Sequence, residues 1–406
     1  MHMLKIAENI YWTGYIDWNL RNFHGYSTPS GSTYNAYLIL DEQPTLIDTV
    51  KHYGFEEILY RIKEIIDPSK IKYIISNHTE MDHSGSIEKL LSICPNAQIV
   101  CSPKGEEGLK RHFKKNWNFK VVNSGNTLNI GRRNLKFFLM PMVHWPDSMA
   151  TYSIEDNILF PNDAFGQHYA SSERFADEVG IDVVVKEATK YYANIVMPYG
   201  GQVLKALEAL KDVKIDMICP SHGLIWRKKE DIEKILSLYK KWANYETGKS
   251  IVIVYDTMWH STEMIAQTLY EFIDCENIPV KLYNLQNTHI SDIIAEIISA
   301  KVVMVGSPIL NNKVLPNMGA FLTYLKGLKP KNRYAFTFGS YGWAKVGFKE
   351  LEDSLKEAGM ELISEGRYLN YVPDDTELEG LKDIVGKIKN LFEMKPAFFQ
   401  GNPQEK

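Results

Sequence analysis

Residues 76–85 read Ser-Asn-His-Thr-Glu-Met-Asp-His-Ser-Gly, directly after a largely apolar run at residues 71–75. Four potential metal ligands fall within six residues of this stretch: His78, Glu80, Asp82 and His83. Imidazoles and carboxylates mixed at this density are typical of a divalent transition-metal site. The second ligand position holds a carboxylate, Glu80, rather than a histidine, and this oxygen donor bears on which metal is bound.

Length and composition limit the classes of protein that fit. The chain has 406 residues, 45% of them hydrophobic and 24% charged, which predicts a globular protein of two domains. No apolar run reaches the length of a membrane span, and the N-terminus lacks a signal-peptide pattern, so we expect a cytoplasmic protein. The net charge of −4, with Lys and Arg spread along the chain, gives no reason to expect a nucleic-acid partner.

The cysteines argue against two kinds of metal site. The chain has four, Cys94, Cys101, Cys219 and Cys275, and none forms a CxxC pair. A zinc ribbon or a cysteine-ligated iron–sulfur centre is therefore not expected. Free thiols in a reducing compartment are the simpler interpretation.

The first part of the chain alternates short strands, polar loops and helices, which predicts a sheet-rich domain with helices on its outer faces. Strands are expected at residues 33–40, 45–48, 71–76, 98–101, 135–140, 150–154, 158–160 and 215–219, and helices at 55–66, 87–93, 203–210 and 230–242. A polar segment with a glycine, residues 244–249, then separates two predicted domains, 1–247 and 248–406.

The second domain has a regular strand–helix rhythm that predicts a doubly wound parallel sheet. Near-continuous apolar strands are expected at residues 250–255, 280–285, 302–305 and 334–338, and helices at 263–273, 290–298, 317–325, 348–358 and 378–392. The residues from 394 onward, with two prolines and a polar end, are expected to form a loosely held extension.

Three further candidate ligands, His144, Asp163 and His222, each follow a strand-like run by a few residues. If these strands share a sheet with residues 71–76, their carboxyl-end loops bring seven ligands to one place. Seven ligands are more than one four-coordinate zinc ion can bind, but the number suits two metals that share a bridging carboxylate. The expected partition gives His78, Glu80 and His144 to one ion, gives Asp82, His83 and His222 to the other, and leaves Asp163 as the bridge. Glu80 favours iron, although ligand type alone leaves zinc or manganese open.

Three loops of the second domain predict a flavin mononucleotide (FMN) site. The first combines hydroxyls and backbone N–H groups at a helix N-terminus, which suits a phosphate, although Ser and Thr there also serve as ordinary N-caps. It has no Lys, and no G-x-x-x-x-G-K-[ST] pattern supports a nucleoside triphosphate. Trp259, Tyr341 and Trp343 could cover an isoalloxazine ring. The loop residues are Thr257, Met258, Trp259, His260, Ser261 and Thr262; Ser307, Pro308, Ile309, Leu310, Asn311 and Asn312; and Gly339, Ser340, Tyr341, Gly342 and Trp343.

The pattern His-x-Glu-x-Asp-His, followed by His144, Asp163 and His222, resembles the metallo-β-lactamase fold as it is used in flavodiiron proteins (A-type flavoproteins). Hydrolases of that superfamily usually carry His-x-His-x-Asp-His, so Glu80 separates the iron branch from the zinc branch. The three loops of the second domain resemble those of flavodoxin-like domains. The resemblance implies an α/β protein with an N-terminal metallo-β-lactamase-like αββα sandwich and a C-terminal flavodoxin-like sheet. It also implies bound FMN and two iron ions held by the seven residues, with His83 left unbound in some family members.

The same resemblance implies an oxidoreductase that reduces dioxygen to water at a diiron centre with electrons passed through FMN. It further implies a head-to-tail homodimer, or a dimer of dimers, with rubredoxin or reduced coenzyme F-420 as the electron donor. Residues 17–26 and 166–168 resemble the methanogen branch, which uses the deazaflavin. His24 and Tyr199 match family positions near the diiron pocket and are expected to act as proton donors or gates.

Three alternatives share part of these motifs. A rubredoxin-dependent nitric oxide reductase of the same family shares all of them. A zinc hydrolase of the metallo-β-lactamase superfamily would keep the metal loops, but Glu80 and the flavodoxin-like half argue against it. A flavodoxin-type electron carrier or redox sensor would require an inactive metal site.

Overall fold

The computed structural model describes residues 4–393, so the extension predicted from residue 394 onward lies outside the described residues. The chain divides into two compact units, Met1–Asn244 and Tyr245–Lys406. The division falls at the start of the polar segment 244–249, slightly ahead of the boundary predicted after residue 247. Within the described range, none of the helices combines the length and the apolar character needed to cross a bilayer.

The first unit is built from two packed sheets. Its strands are β1 (Leu4–Ala7), β2 (Ile10–Trp12), β3 (Tyr15–Asp17), β4 (Asn22–Phe23), β5 (Tyr26–Ser27), β6 (Ser32–Tyr34), β7 (Tyr37–Ile39), β8 (Thr45–Ile47), β9 (Tyr73–Ser76), β10 (Gln98–Cys101), β11 (Phe119–Val121), β12 (Thr127–Asn129), β13 (Asn134–Leu139), β14 (Met149–Ser153), β15 (Ile158–Phe160) and β16 (Met217–Ile218). Its α-helices are α1 (Phe55–Lys63), α2 (Met81–Ser84), α3 (Ile87–Ile93), α4 (Pro103–Phe113), α5 (Ala176–Val179), α6 (Ile181–Tyr191), α7 (Gly200–Leu210) and α8 (Lys229–Ala243).

The strand order of the larger sheet is β1-β2-β7-β8-β9-β10-β11, and that of the smaller sheet is β12-β13-β14-β15-β16. The larger sheet is antiparallel from β1 to β8 and parallel from β8 to β11. In the smaller sheet β13 pairs antiparallel with β14, β14 pairs antiparallel with β15, and β15 pairs parallel with β16. Strands β13, β15 and β16 therefore all point in the same direction.

The two sheets share one buried core. The ring of Tyr37 on β7 lies 5.2 Å from that of Phe160 on β15, and both belong to an apolar cluster that draws on both sheets. Alternate residues such as Leu38 and Ile74 point to the other face of the larger sheet, where they pack with helices α1, α3 and α4. On the side of the smaller sheet, α7 and α8 pack together, and Tyr239 of α8 contacts Phe165. The predicted αββα sandwich is confirmed.

Some boundaries differ from the predicted ones. The strand predicted at residues 33–40 is two strands, β6 and β7, because strand pairing is interrupted at Asn35 and Ala36: β6 pairs with β3, and β7 pairs with β2 and β8. The Asn35 side chain stabilises this interruption: its Nδ2 donates to the carbonyls of Pro220 at 2.8 Å and Gly223 at 3.0 Å. Helix α4 was not predicted, although Ser102 caps it and Pro103 occupies its first turn.

The second unit is a parallel sheet with helices on both faces. Its strands are β17 (Ile251–Tyr255), β18 (Val280–Asn284), β19 (Val302–Gly306), β20 (Ile309–Leu310), β21 (Lys313–Val314), β22 (Arg333–Tyr341), β23 (Met360–Leu362) and β24 (Arg367–Asn370). Its α-helices are α9 (Ser261–Asp274), α10 (Ile290–Ile297), α11 (Pro316–Leu328), α12 (Lys349–Glu357), α13 (Asp375–Glu379) and α14 (Lys382–Glu393).

The sheet order is β18-β17-β19-β22-β23, with β24 also on β22, and every pair is parallel. Ile251 and Ile253 face the helices α9 and α14, while the alternating Val252 and Val254 face the opposite side. The chain runs from β17 outward to β18 and then crosses to β19 on the other side of β17. This reversal is the switch point at which open α/β sheets bind their ligands. The predicted doubly wound, flavodoxin-like sheet is confirmed.

Two elements of this unit differ from the sequence prediction. The helix predicted at residues 378–392 is two helices, α13 and α14, because the chain breaks at Gly380 and Leu381. Strand β22 continues to Tyr341 rather than ending at residue 338, because β24 pairs with its last four residues. Gly339 and Ser340 therefore lie in the end of a strand rather than in a loop.

Candidate functional site

The seven predicted metal ligands lie together in the first unit. They form two groups in which the possible ligand atoms are within 4.8 Å of one another. One group is His78, Glu80, His144 and Asp163, and the other is Asp82, His83 and His222. This grouping matches the partition predicted from the sequence, including the placement of His83 in the second group. Whether each residue binds a metal remains a prediction.

The ligands come from both sheets, so the condition considered from the sequence, that their strands share one sheet, is not met. His78 follows β9 of the larger sheet, whereas His144, Asp163 and His222 follow β13, β15 and β16 of the smaller sheet. The backbone N–H of Met149 donates to the carbonyl of Asn77 at 2.9 Å, which joins the sheets at this end. Because the sheets pack face to face, their strand ends meet at one edge of the sandwich.

Asp163 lies between the two groups, and each of its oxygens faces one of them. Its Oδ2 lies 3.2 Å from Nε2 of His144 and 3.7 Å from Nε2 of His78. Its Oδ1 lies 3.0 Å from Nε2 of His83 and 3.3 Å from Nε2 of His222. This is the geometry of a carboxylate that could bridge two cations.

The other two carboxylates each serve one group. Oε2 of Glu80 lies 3.4 Å from Nε2 of both His78 and His144. The oxygens of Asp82 approach Nε2 of His83 at 3.4 Å and Nε2 of His222 at 3.2 Å. Each group thus offers two imidazoles, one carboxylate of its own and one oxygen of Asp163, a donor set that suits a divalent transition metal.

Hydrogen bonds behind the imidazoles fix the direction in which they point. Nδ1 of His78 lies 2.9 Å from Oδ2 of Asp147, and Nδ1 of His222 lies 2.6 Å from the carbonyl of Thr33. With Nδ1 engaged, Nε2 is directed into the site, as in many metal-binding histidines. The sequence analysis missed Asp147, although it shares with His144 the loop that follows β13.

Several buried polar atoms of the cluster lack a hydrogen bond among the described residues. They are both oxygens of Asp82, both oxygens of Asp163, Nε2 of His78, and both ring nitrogens of His83. Buried polar atoms are almost always satisfied, so atoms directed inward at one point indicate a bound group that the protein itself does not supply. Two divalent cations would satisfy these donors, and the residues therefore fit a two-metal centre.

The cluster also shifts the pKa values of its members. Burial alone would lower the pKa of His222, but the adjacent carboxylates of Asp163 and Asp82 raise that pKa to about 10. Burial would raise the pKa of Asp163, but the neighbouring His83 and the other imidazoles hold that pKa well below its usual range. Since only a neutral imidazole ligates a metal, metal binding here releases protons.

His24 lies beside the first group, as the resemblance implies, whereas the described structure shows no hydrogen bond or ring contact between Tyr199 and the ligands. His24 and Gly25 form the two-residue turn between β4 and β5, with φ of 53° and 84°. Nε2 of His24 lies 3.0 Å from Oε1 of Glu80, and the His24 side chain is 73% exposed. Tyr199 ends a short 3-10 helix before α7, and in the described part of the chain it forms no hydrogen bond or ring contact with the seven residues. Its role stays a prediction.

Two residues without a predicted role lie against His222. The ring of His168 lies 4.8 Å from that of His222 and 5.0 Å from that of Tyr191. Burial and the charge of His222 hold the pKa of His168 well below its usual value, so its imidazole is neutral. Neither residue directly follows a strand, so strand-end position marked neither of them, and His168 was noted only within the family resemblance of residues 166–168.

Asp48 connects two of the ligand-bearing loops. Its carboxylate accepts hydrogen bonds from the backbone N–H of Asn77 at 2.8 Å, from Nδ2 of Asn77 at 3.1 Å, and from Nδ2 of Asn162 at 3.3 Å. These asparagines directly precede the ligands His78 and Asp163. Asp48 is buried and has a φ of 54°, a conformation that Asp and Asn adopt more readily than other residues.

Replacing Asp48 by alanine is expected to lower the free energy of unfolding of the metal-free protein by about 2 kcal/mol or more, because buried donors lose their acceptor. Urea denaturation measures this change. Asp48→Asn keeps an acceptor oxygen and suits the left-handed backbone, so it should lose less than half as much. Equal losses in the two variants would contradict the assigned role of the carboxylate.

The predicted flavin loops lie at the carboxyl ends of β17, β19 and β22 in the second unit. Helix α9 begins at Ser261, two residues before the predicted start, so Ser261 and Thr262 belong to its first turn. Oγ1 of Thr262 lies 2.8 Å from Oγ of Ser340, which joins the first loop to the third. Oγ1 of Thr257 is buried without a hydrogen bond among the described residues. A helix N-terminus with an unsatisfied hydroxyl beside it fits a phosphate group.

The second loop is a small hairpin. Residues Ile309–Leu310 pair with Lys313–Val314, and Asn311 and Asn312 form the turn with φ of 52° and 61°. A side chain cannot be accommodated at the strand ends beside it: a Cβ on Gly339 would lie 2.2 Å from the carbonyl of Ser307. Only glycine therefore fits at position 339, where the ends of β19 and β22 are closely packed.

Large side chains are exposed around these loops. Trp259 is 86% exposed and Trp343 is 91% exposed, while Tyr341 is half-buried. Exposed apolar surface of this size beside a phosphate-binding loop fits a flat aromatic ligand. The residues therefore fit FMN, although the contact of each one with the flavin stays a prediction.

Comparisons with known proteins cover both units. The ODP family of beta lactamases matches residues 33–223, which include all seven candidate ligands, and the flavodoxin family matches residues 253–384, which include all three loops. The chain is similar to a nitric oxide reductase of Moorella thermoacetica, with 43% identity over 95% of this chain and 98% of that protein. It is similar in structure to rubredoxin oxygen:oxidoreductase from Desulfovibrio gigas, with a TM-score of 0.94, 40% identity, and coverage of 96% and 98% of the two chains. The flavodiiron protein from Giardia intestinalis gives a TM-score of 0.93 and 34% identity, with coverage of 96% and 97%.

Proposed function

This chain belongs to the flavodiiron protein family, and we propose that it reduces dioxygen to water with electrons that reduced coenzyme F-420 delivers through FMN. It is an oxidoreductase whose cofactors are FMN and two iron ions. When bound, FMN accepts electron pairs and releases single electrons, and the irons bind and reduce the oxidant. The observation that supports the proposal most directly is Asp163, whose two oxygens face one candidate ligand group each.

The seven candidate ligands would bind the two metals in two groups. His78, Glu80 and His144 would hold one iron, Asp82, His83 and His222 would hold the other, and Asp163 would contribute to both. Asp147 and the carbonyl of Thr33 keep Nε2 of His78 and His222 directed at the metals.

Water formation consumes protons, and His24 is placed to supply them. Its Nε2 lies within hydrogen-bond distance of Glu80, and the rest of its side chain is open to solvent. We assign to His24 the transfer of protons from solvent to the carboxylate edge of the site. Tyr199 is retained as a proton donor or gate on the family resemblance alone.

Each of the three flavin loops would bind a different part of FMN. Residues 257–262, at the start of α9, hold the phosphate, residues 307–312 and 339–343 border the isoalloxazine, and Trp259 and Trp343 cover it. Efficient electron transfer requires the flavin to lie close to the irons. A head-to-tail homodimer, or a dimer of dimers, would place the flavin of one subunit beside the irons of the other.

The donor assignment rests on residues 17–26 and 166–168, which resemble the methanogen branch of the family. Rubredoxin is the alternative donor, and it appears in the name of the relative from Desulfovibrio gigas. Nitric oxide is the alternative oxidant, because the relative from Moorella thermoacetica is named a nitric oxide reductase. A zinc hydrolase is disfavoured, since a hydrolase would leave the flavodoxin-like unit without a role. We place the reaction in the cytoplasm.

The test is oxygen consumption by the anaerobically purified, iron- and FMN-loaded protein with reduced coenzyme F-420. We expect two molecules of the coenzyme to be oxidised for each dioxygen, because each delivers two of the four electrons, and we expect no peroxide. Turnover with reduced rubredoxin alone would overturn the donor assignment. Accumulation of peroxide would overturn water as the product, and faster turnover of nitric oxide would overturn dioxygen as the oxidant.

A further inference from the structure

His260, the residue directly before helix α9, has an unusual backbone conformation. Its φ is 66° and its ψ is −5°, in the left-handed region. N-cap residues usually have extended backbone angles, and the left-handed region is strained for residues other than glycine. Strain of this kind persists only where neighbouring groups hold the residue in place, and it is common at loops that bind ligands.

The side chain of Glu263 supplies the contacts that hold His260. Nδ1 of His260 lies 2.6 Å from Oε2 of Glu263, and the hydroxyl of Tyr255 donates to Oε1 of Glu263 at 2.7 Å. Tyr255 is the last residue of β17 and is only 4% exposed, whereas Glu263 lies in the first turn of α9. The carboxylate therefore connects the end of a buried strand to the loop and to the helix. We refer to Tyr255, Glu263 and His260 as the loop brace.

Glu263 is unsuited to contact a phosphate itself. The hydrogen bonds from His260 and Tyr255 lower the pKa of its carboxyl group, so the side chain is anionic at neutral pH. An anionic group repels a phosphate. Both oxygens of Glu263 are also engaged by the other members of the loop brace. Its position beside the predicted phosphate loop is explained by its effect on the backbone instead.

The backbone conformation of His260 suits an anion. A left-handed residue next to right-handed ones can turn successive N–H groups to the same side, which forms a concave site for anions. His260 is followed directly by the right-handed residues of α9, and among the described residues its side chain makes no capping hydrogen bond. This side chain therefore leaves the N–H groups of the first turn to a ligand. The buried, unsatisfied hydroxyl of Thr257 belongs to the same loop.

We propose that Glu263 is a positioning residue for FMN: through the loop brace it holds His260 in the left-handed conformation and so preorganises residues 257–262 for the phosphate. Without the brace, position 260 would relax to an ordinary backbone conformation, and binding would have to restore the strained one at the expense of affinity. The proposal rests on the proposed function, because it takes residues 257–262 as the phosphate site. Since riboflavin lacks the phosphate, its binding should not depend on the brace.

The test compares FMN with riboflavin in calorimetric titrations of the full-length protein from which flavin has been removed. We expect Glu263→Ala and His260→Ala each to bind FMN about tenfold more weakly than the wild type, and to bind riboflavin as the wild type does. His260→Gly also lacks the imidazole, but glycine adopts the left-handed conformation without strain. It should bind FMN to within about threefold of the wild type, and so should the double variant of Glu263→Ala with His260→Gly.

Glu271→Ala is the matched control, because it removes an exposed carboxylate from a later turn of α9 and should leave both affinities unchanged. Wild-type affinity for FMN in Glu263→Ala would overturn the proposal. Equal weakening of FMN and riboflavin would also overturn it, since that result indicates a general loss of structure, and so would equally weak FMN binding in His260→Gly and His260→Ala. If the wild type bound FMN no more tightly than riboflavin, the phosphate site itself would be contradicted, and the proposal with it.

Discussion

Replacing Asp163 by alanine is expected to abolish oxygen reduction, with a loss of activity of at least about 100-fold, and to leave fewer than two irons per chain. Each oxygen of Asp163 faces one ligand group, so its removal takes a ligand from both metals at once. It also leaves three buried imidazoles and the partly exposed His144 with less compensating negative charge. Metal analysis of the purified variant and oxygen-electrode assays measure the two effects, and circular dichroism reports whether the fold is kept.

Two variants provide the comparison for Asp163→Ala. Asp163→Asn keeps one carbonyl oxygen but has no carboxylate that could bridge two metals. It should retain more metal than the alanine variant. Asp216→Ala removes an exposed carboxylate whose partners are Lys214 and Asn157, and it should leave iron content and activity unchanged. Two irons per chain in Asp163→Ala would contradict the bridging role.

Replacing Glu80 by histidine is expected to shift metal preference from iron towards zinc and to abolish oxygen reduction. The substitution removes an oxygen donor that lies 3.4 Å from Nε2 of His78 and of His144, and it supplies an imidazole in its place. Softer nitrogen donors favour zinc over iron in a site of this kind. Reconstitution of the metal-free protein with equal concentrations of iron and zinc, followed by metal analysis, measures the preference.

Glu80→His also removes the partner of His24, so this contact must be tested separately. His24→Ala loses the 3.0 Å contact with Oε1 of Glu80 but keeps the oxygen donor. It should therefore keep the preference for iron while its turnover falls. Unchanged iron content and activity in Glu80→His would refute the argument from donor type.

Ligand spacing predicted the grouping of the candidate site because it is a local property. Glu80 directly precedes the helical turn α2 (Met81–Ser84), and Asp82 and His83 lie within it. His78 and Glu80, which come before this turn, belong to one group, and Asp82 and His83, which lie within it, belong to the other. The flavin loops were equally accessible from the sequence, since each lies where a strand meets a turn or a helix.

Contacts between distant parts of the chain were not accessible in this way. His78 meets Asp147 across 69 positions, and His222 meets Thr33 across 189 positions. No local pattern marks such partners, and the assignment of β9 to a different sheet from β13, β15 and β16 depends on strand pairing alone. The contacts of the buried His168 and of the Asp48 carboxylate likewise depend on residues that are distant in the sequence.

The sequence by itself determined the donor types, their places after strand ends, the strand–helix rhythm of the second unit and hence the family. These follow from short-range chemistry: ligand identity, hydrophobic periodicity and the residues that turns require. Only the tertiary structure decided that two sheets contribute the ligands and that each oxygen of Asp163 faces a different group. Burial and hydrogen-bond partners arise when distant segments meet, and the sequence of one segment does not specify its distant neighbour.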